Sequence, residues 1–173
     1  FAGAGTQTSA LGFGGEPTPT ATESYNGTNW TAVNNLSTGR KNLAGVGASN
    51  TAALAFGGNA PPPRSAVTEL WNGTNWTEVN DLNTARGRGA ASGTNTAALA
   101  FGGVPPSPAT GATESWNGTN WTELADLNTA RSGLAGAGPS NTVALGFGGY
   151  GVAVTAATEE WNITGGVKTI DTD

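Results

Sequence analysis

The stretch TELWNGTNWTEVNDLNTAR, Thr68 to Arg86, places two tryptophans five residues apart around an Asn-Gly turn signal. Nearly the same words return as TESWNGTNWTELADLNTAR from Thr113 to Arg131. Outward from these two copies the same order recurs along the chain. Gly pairs fall at Gly14-Gly15, Gly57-Gly58, Gly102-Gly103 and Gly148-Gly149, and the Glu of the TE phrase at Glu23, Glu69, Glu114 and Glu159. The period is about 45 residues, the mark of a repeat architecture. The first aromatic of each phrase is Tyr25, Trp71, Trp116 or Trp161. The second is Trp30, Trp76 or Trp121, with Val167 near the corresponding place in a degenerate fourth copy. All six tryptophans therefore belong to the repeat. The chain is expected to be a single domain, 1–173, of four units covering approximately 1–35, 42–80, 87–125 and 132–173.

Within a unit the pattern predicts four short strands and no sustained helical period. In the second copy these are NLAGVGAS, TAALAFGG, VTELWN and NWTEV, called a, b, c and d, with turn-rich segments between them. Strands a and b are built of Ala, Gly, Leu and Phe, while c and d carry the indoles. A propeller blade tapers in this way, because its inner strands crowd a central channel and its outer strands fan apart. WNGTNW then reads as the c–d hairpin, with Asn72-Gly73 supporting positive φ and a Trp at each end. Each indole can bury on the order of 200 Å². At about 25 cal/mol per Å² this is roughly 5 kcal/mol per ring before entropy, enough to hold a blade to its neighbour.

Composition narrows the function classes. A chain of 173 residues can bury roughly two thirds of its unfolded surface. Only 11% of residues are charged, the net charge is −5, and the seven basic residues are scattered. That leaves no electrostatic footprint for a phosphate backbone, so nucleic acid is not an expected partner. No apolar run approaches the roughly 18 residues of a membrane span, so membrane insertion is not expected either. Cysteine and histidine are absent, which excludes a disulfide scaffold, a thiolate metal site and a Ser-His or Cys-His nucleophile.

The apolar strand ending in Gly-Gly (ALAFGG), the variable loop (NAPPPRSAV), the aromatic (TELW), the turn (NGTN), the Trp, and a linker ending in Arg (TEVNDLNTAR) together resemble the kelch repeat. ADLNTARSGLAGAG, Ala125 to Gly138, resembles it closely. The resemblance covers the whole chain in four copies and implies an all-β, kelch-type β-propeller of four four-stranded antiparallel blades. Kelch propellers usually close with five to seven blades, whereas this chain supplies four. It starts at strand a and ends at strand d, and no Arg precedes its first strand a. The expectation is therefore a fragment or processed product with more blades upstream, chains that assemble to complete a ring, or four blades closing tightly.

Glu23 and Arg40, Glu69 and Arg86, and Glu114 and Arg131 are each 17 residues apart, so equivalent pairs would repeat around the ring. Such pairs would tie blades together by ion pairs or by hydrogen bonds to linker backbone. A ring of carboxylates could instead bind a cation or a sugar. Paired-carboxylate hydrolysis needs two acids in unlike environments, and acids such as Asp81 and Asp126 recur in matching linkers. No helix and no Lys-Ser/Thr follows the Gly pairs, so phosphate-loop logic is missing. Kelch enzymes that use copper rely on histidines and a Tyr-Cys crosslink, which this chain cannot supply. No enzymatic activity, metal or cofactor is expected. The eight Asn-x-Ser/Thr sequons, at Asn26, Asn29, Asn35, Asn72, Asn75, Asn117, Asn120 and Asn162, read first as turn chemistry. On a eukaryotic secretory route they would mark a glycosylated surface.

The copies diverge between each Gly pair and each TE: EPTPTAT, NAPPPRSAV, VPPSPATGA and YGVAVTAA. These b–c loops should gather at one end of the propeller, where kelch proteins commonly bind partners. Arg64 and Tyr150 are the loop side chains best suited to a specific contact. Near-identical Asn/Thr/Gly-rich kelch copies of this kind are similar to the repeats of large bacteriophage virion proteins. That resemblance implies a tail, fibre or capsid-decorating module at the virion surface, with other virion proteins or a host-surface glycan or protein as partners, and homo-oligomers possible. The alternatives are a secreted or cell-surface carbohydrate-binding propeller, which is extracellular and needs exposed Trp, and a protein-interaction propeller.

Overall fold

The computed structural model describes the whole chain except residues 18, 61–63, 106–107, 163–165 and 171–173; for 166–170 it describes the backbone. The prolines at 61–63 and 106, part of the expected presenting loops, lie outside the described residues. Sixteen strands form four antiparallel sheets in chain order, and the described residues contain no helix. The first sheet holds β1 (Ala2–Thr6), β2 (Ser9–Phe13), β3 (Thr22–Tyr25) and β4 (Trp30–Val33). The second holds β5 (Ala44–Ser49), β6 (Ala52–Phe56), β7 (Thr68–Trp71) and β8 (Trp76–Val79). The third holds β9 (Ala90–Gly93), β10 (Ala98–Phe101), β11 (Thr113–Trp116) and β12 (Trp121–Glu123). The last holds β13 (Ala135–Ser140), β14 (Val143–Phe147), β15 (Thr158–Asn162) and β16 (Gly166–Ile170). Each sheet is a meander, every strand pairing with its sequence neighbour, as a blade requires.

Side chains alternate across each blade with the period of two that a strand imposes. In β6, Ala53 and Ala55 pack toward the first blade, while Leu54 and Phe56 pack toward the third. A blade thus has one face of Leu and Phe and one of small Ala set beside the indoles. The apolar core is divided into clusters that lie between neighbouring blades: Leu11 and Phe13 meet Trp71 and Trp76, and Leu54 and Phe56 meet Trp116 and Trp121. Innermost strands pack β1 on β5, β5 on β9 and β9 on β13. Small residues there are a steric need: a Cβ on Gly45 would stand 2.4 Å from the Phe13 ring, and one on Gly136 2.7 Å from the Phe101 ring. The whole is an all-β, four-bladed propeller arrangement, yet no comparable packing joins β13 back to β1. Tight closure of four blades on their small inner residues is not what this chain adopts.

The c–d hairpin differs in one detail from its sequence reading. Trp71 pairs with Trp76 across a four-residue loop in which Gly73 has φ 95° and Asn72 is not left-handed. Asn72 instead accepts hydrogen bonds at its side-chain oxygen from the backbone N–H of Thr74 and Asn75, both at 2.9 Å. The side chain, not a left-handed Asn, shapes the turn.

Candidate functional site

The Gly pairs are where one blade takes hold of the next. Both residues of every pair have positive φ, near 64–68° and then 93–106°. Gly58 N–H donates to the Arg86 carbonyl at 2.8 Å, and Gly15 and Gly103 make the same bond to Arg40 and Arg131. A Cβ on Gly57 would lie 2.6 Å from that Arg86 oxygen. The pair therefore serves close backbone approach as well as the turn.

The arginines are paired one blade later than the 17-residue spacing predicts. Arg40 binds Glu69, Arg86 binds Glu114 and Arg131 binds Glu159, each Nη2–Oε1 distance being 2.8 Å with both side chains buried. The pairs Glu69/Arg86 and Glu114/Arg131 do not form. The physical reason is strand order: each Arg enters just before strand a of its own blade and reaches across to strand c of that blade. The carboxylate also accepts from the linker arriving from the previous blade, Glu69 from Ser37 N–H at 2.7 Å and Glu114 from Asn83 N–H at 2.7 Å. Further guanidinium hydrogens go to carbonyls, Arg40 to Gly57 and Arg131 to Gly148 and Ala157. Burial pulls the Arg40 and Arg86 guanidinium groups below the usual arginine range, and the facing Glu69 and Glu114 oppose that fall. Glu23 is exposed and makes no ion pair among the described residues.

The indoles divide by position. Trp71, Trp76, Trp116 and Trp121 are buried, Trp161 is half-buried, and Trp30 is 53% exposed. Phe13 meets Trp76 edge-on at 4.9 Å and Phe56 meets Trp121 at 4.8 Å. Each inserted indole donates from Nε1 to the first Thr of the previous blade's strand c, Trp76 to Thr22 at 3.0 Å and Trp121 to Thr68 at 3.1 Å. These threonines escaped the sequence reading, although the Thr before each recurring Glu is visible there. Between the third and fourth blades, Leu99, Phe101, Thr113, Leu127, Ala144 and Trp161 line a small cleft.

At the loop end, b–c loops lie beside the d–a linkers, bridged at Asn59 and Lys41, Val104 and Gly87, and Tyr150 and Ser132. Arg64 is half-buried and donates to the Asn59 side chain of its own loop. Tyr150 is exposed, with Val152 and Val154 beyond it. Lys41 pairs with Glu16 on the adjacent loop and holds that fully exposed carboxyl below the usual range through its hydrogen bond. Asn26, Asn72 and Asn117 share the Asx geometry of their hairpins, while Asn75 and Asn120 accept from Asn34 and Asn80 of the previous blade. Among the described residues no group of three or more acidic side chains is placed to hold a metal ion.

Comparison with known proteins supports the architecture. No family model and no curated protein matches the chain. The solved structure of YjhT, a β-propeller, matches with a TM-score of 0.74 at 13% identity, over 88% of this chain and 52% of its own. The chain has a propeller fold. It spans about half the length of the YjhT chain, and at this identity the likeness is one of fold alone.

Proposed function

We propose that this chain is a non-enzymatic structural and adhesion module of a virion, a tail, fibre or capsid-decorating propeller that presents its b–c loops to a host surface. One observation carries the reading. The side chains that repeat are consumed inside the framework, Glu69, Glu114 and Glu159 by linker and guanidinium, while sequence divergence collects in the loops of one end. There Tyr150, Val152 and Val154 stand out of the fold, an aromatic and apolar tip of the kind that anchors a contact. The virion setting rests on the resemblance of the kelch copies to phage repeats. Binding would be weak at one loop and strong on a particle, because an array multiplies effective concentration. A carbohydrate-binding propeller that used its repeated indoles would need them accessible, and four of the six are buried.

The test is adsorption of the purified chain, coupled to beads at high density, to host cells. The triple variant Tyr150→Ala, Val152→Ser, Val154→Ser is expected to abolish adsorption with an unchanged Tm. Adsorption that survives this change and replacement of the other b–c loops overturns adhesion through the loop end. Immunogold labelling of purified virus particles tests the setting, and particles that carry none of this chain overturn it.

A further inference from the structure

Of the seven lysines and arginines, Arg40, Arg86 and Arg131 are spent in buried ion pairs, and Lys168 stands in β16. The other three are scattered in sequence but meet at the loop end, where the second blade touches the linker into the third. Lys41 and Asn59 exchange backbone hydrogen bonds of 2.9 and 2.7 Å, and the Asn59 side chain accepts from Arg64. Gly87 lies against that contact: a Cβ there would stand 3.3 Å from Arg64 Nη1. Arg88 follows, and its N–H donates to the Asn42 carbonyl at 2.9 Å, beside Lys41. Lys41, Asn42, Asn59, Arg64, Gly87 and Arg88 thus share one frame of contacts.

The frame itself does not call for these side chains. The triplet before strand a reads Arg40-Lys41-Asn42, Arg86-Gly87-Arg88 and Arg131-Ser132-Gly133, alike at its first residue and unlike at the next two. Its third residue is left-handed in all three copies, with φ of 53°, 59° and 62°. Glycine takes that conformation freely in the fourth blade, whereas Arg88 holds it against its own Cβ, a strain of the kind that gathers at functional sites. Arg88 is exposed, and its guanidinium makes no hydrogen bond or ion pair among the described residues; Arg64 uses its guanidinium on Asn59 alone. Lys41 pairs with Glu16, an exposed contact that water weakens.

We propose that this cluster binds an oxyanion, a sulfate or phosphate group either free in solution or carried on a polysaccharide. Guanidinium N–H groups meet such oxygens in pairs, and the ammonium adds a point charge. Three cations on one frame suit a single group and do not form the row that a nucleic-acid backbone needs. The cluster is built from the second blade and its flanking linkers, apart from the Tyr150 loop, and does not depend on adhesion through that loop.

Isothermal titration calorimetry of the purified chain with sodium sulfate, sodium phosphate, dextran sulfate and uncharged dextran tests this. Saturable binding of the free ions would assign the site to a small oxyanion, and binding of dextran sulfate alone to a polymer-borne group. Either is expected to weaken as sodium chloride is raised, and uncharged dextran is expected not to bind. Arg88→Gly, which the left-handed backbone accepts as it does Gly133, should weaken binding at least about tenfold with no loss in Tm. Glu16→Gln frees Lys41 and should tighten binding about twofold or more. Glu123→Gln, the same charge change on the exposed outer strand of the third blade, should leave it unchanged. Absence of binding to all three anionic probes overturns the proposal. So does binding that Arg88→Gly leaves intact, binding of uncharged dextran as tight as that of dextran sulfate, or an equal response to Glu16→Gln and Glu123→Gln, which would mark net charge and not a site.

Discussion

Trp76 and Trp30 hold the same place in two copies of one repeat, and what differs is the neighbour. Trp76 is 7% exposed, with Phe13 on its edge and Thr22 accepting from its N–H. Trp76→Ala should cost about 3–5 kcal/mol in a denaturant titration, the usual loss for a buried large ring. Trp30→Ala, measured on the monomer, should cost no more than about 0.5 kcal/mol, as surface changes do. The same contrast separates the carboxylates. Glu69→Gln leaves the buried Arg40 without its counter-charge and is expected to cost about 3–5 kcal/mol, whereas Glu23→Gln on the monomer should be near neutral by the same titration. The residue types needed for these pairs could be read from the repeat. Their partners could not, because spacing along the chain is blind to which strand c lies within an arginine's reach.

At the scale of the element, each blade was legible from alternation and turn residues. The strands of the second copy, at Ala44–Ser49, Ala52–Phe56, Thr68–Trp71 and Trp76–Val79, fall inside the expected segments. The turns were less so: Asn72 shapes its hairpin by side-chain acceptance, a role that composition does not distinguish from left-handed backbone. The fourth blade lacks the second indole. Val167 pairs with Trp161 in the register in which Trp76 pairs with Trp71. Val167→Trp restores at that register the aromatic pair of the other blades and is expected to raise stability on the order of 1 kcal/mol. Thermal unfolding followed by circular dichroism reads it, and a lowered Tm would show that the fourth blade does not accept the ring.

For the whole molecule, stability in a repeat array is a sum of blade terms and nearest-neighbour seams. The second and third blades have a neighbour on both sides and the outer two on one. Amide exchange of the monomer should accordingly be slowest in β6 and β10 and faster in β2 and β14, although their sequences are nearly the same. Equal protection in all four would mean that the seams contribute little.

Sequence alone determined the repeat, the four strands of each unit, the taper from small inner residues to outer indoles, and the loops in which the copies diverge. The strands and the taper follow from local periodicity and side-chain size within one unit of about 45 residues, and the repeat and its divergent loops from setting the copies side by side. Only the tertiary structure decided that Arg40 answers Glu69, that the Gly pairs grip the next linker, that Arg64 is tied into its own loop, and that Trp76 and Trp121 hydrogen-bond a threonine of the preceding blade. Those are relations between units. Identical repeats carry no mark of which copy they will face, so the contact is fixed by the packing of blades in space and not by the words that each blade shares.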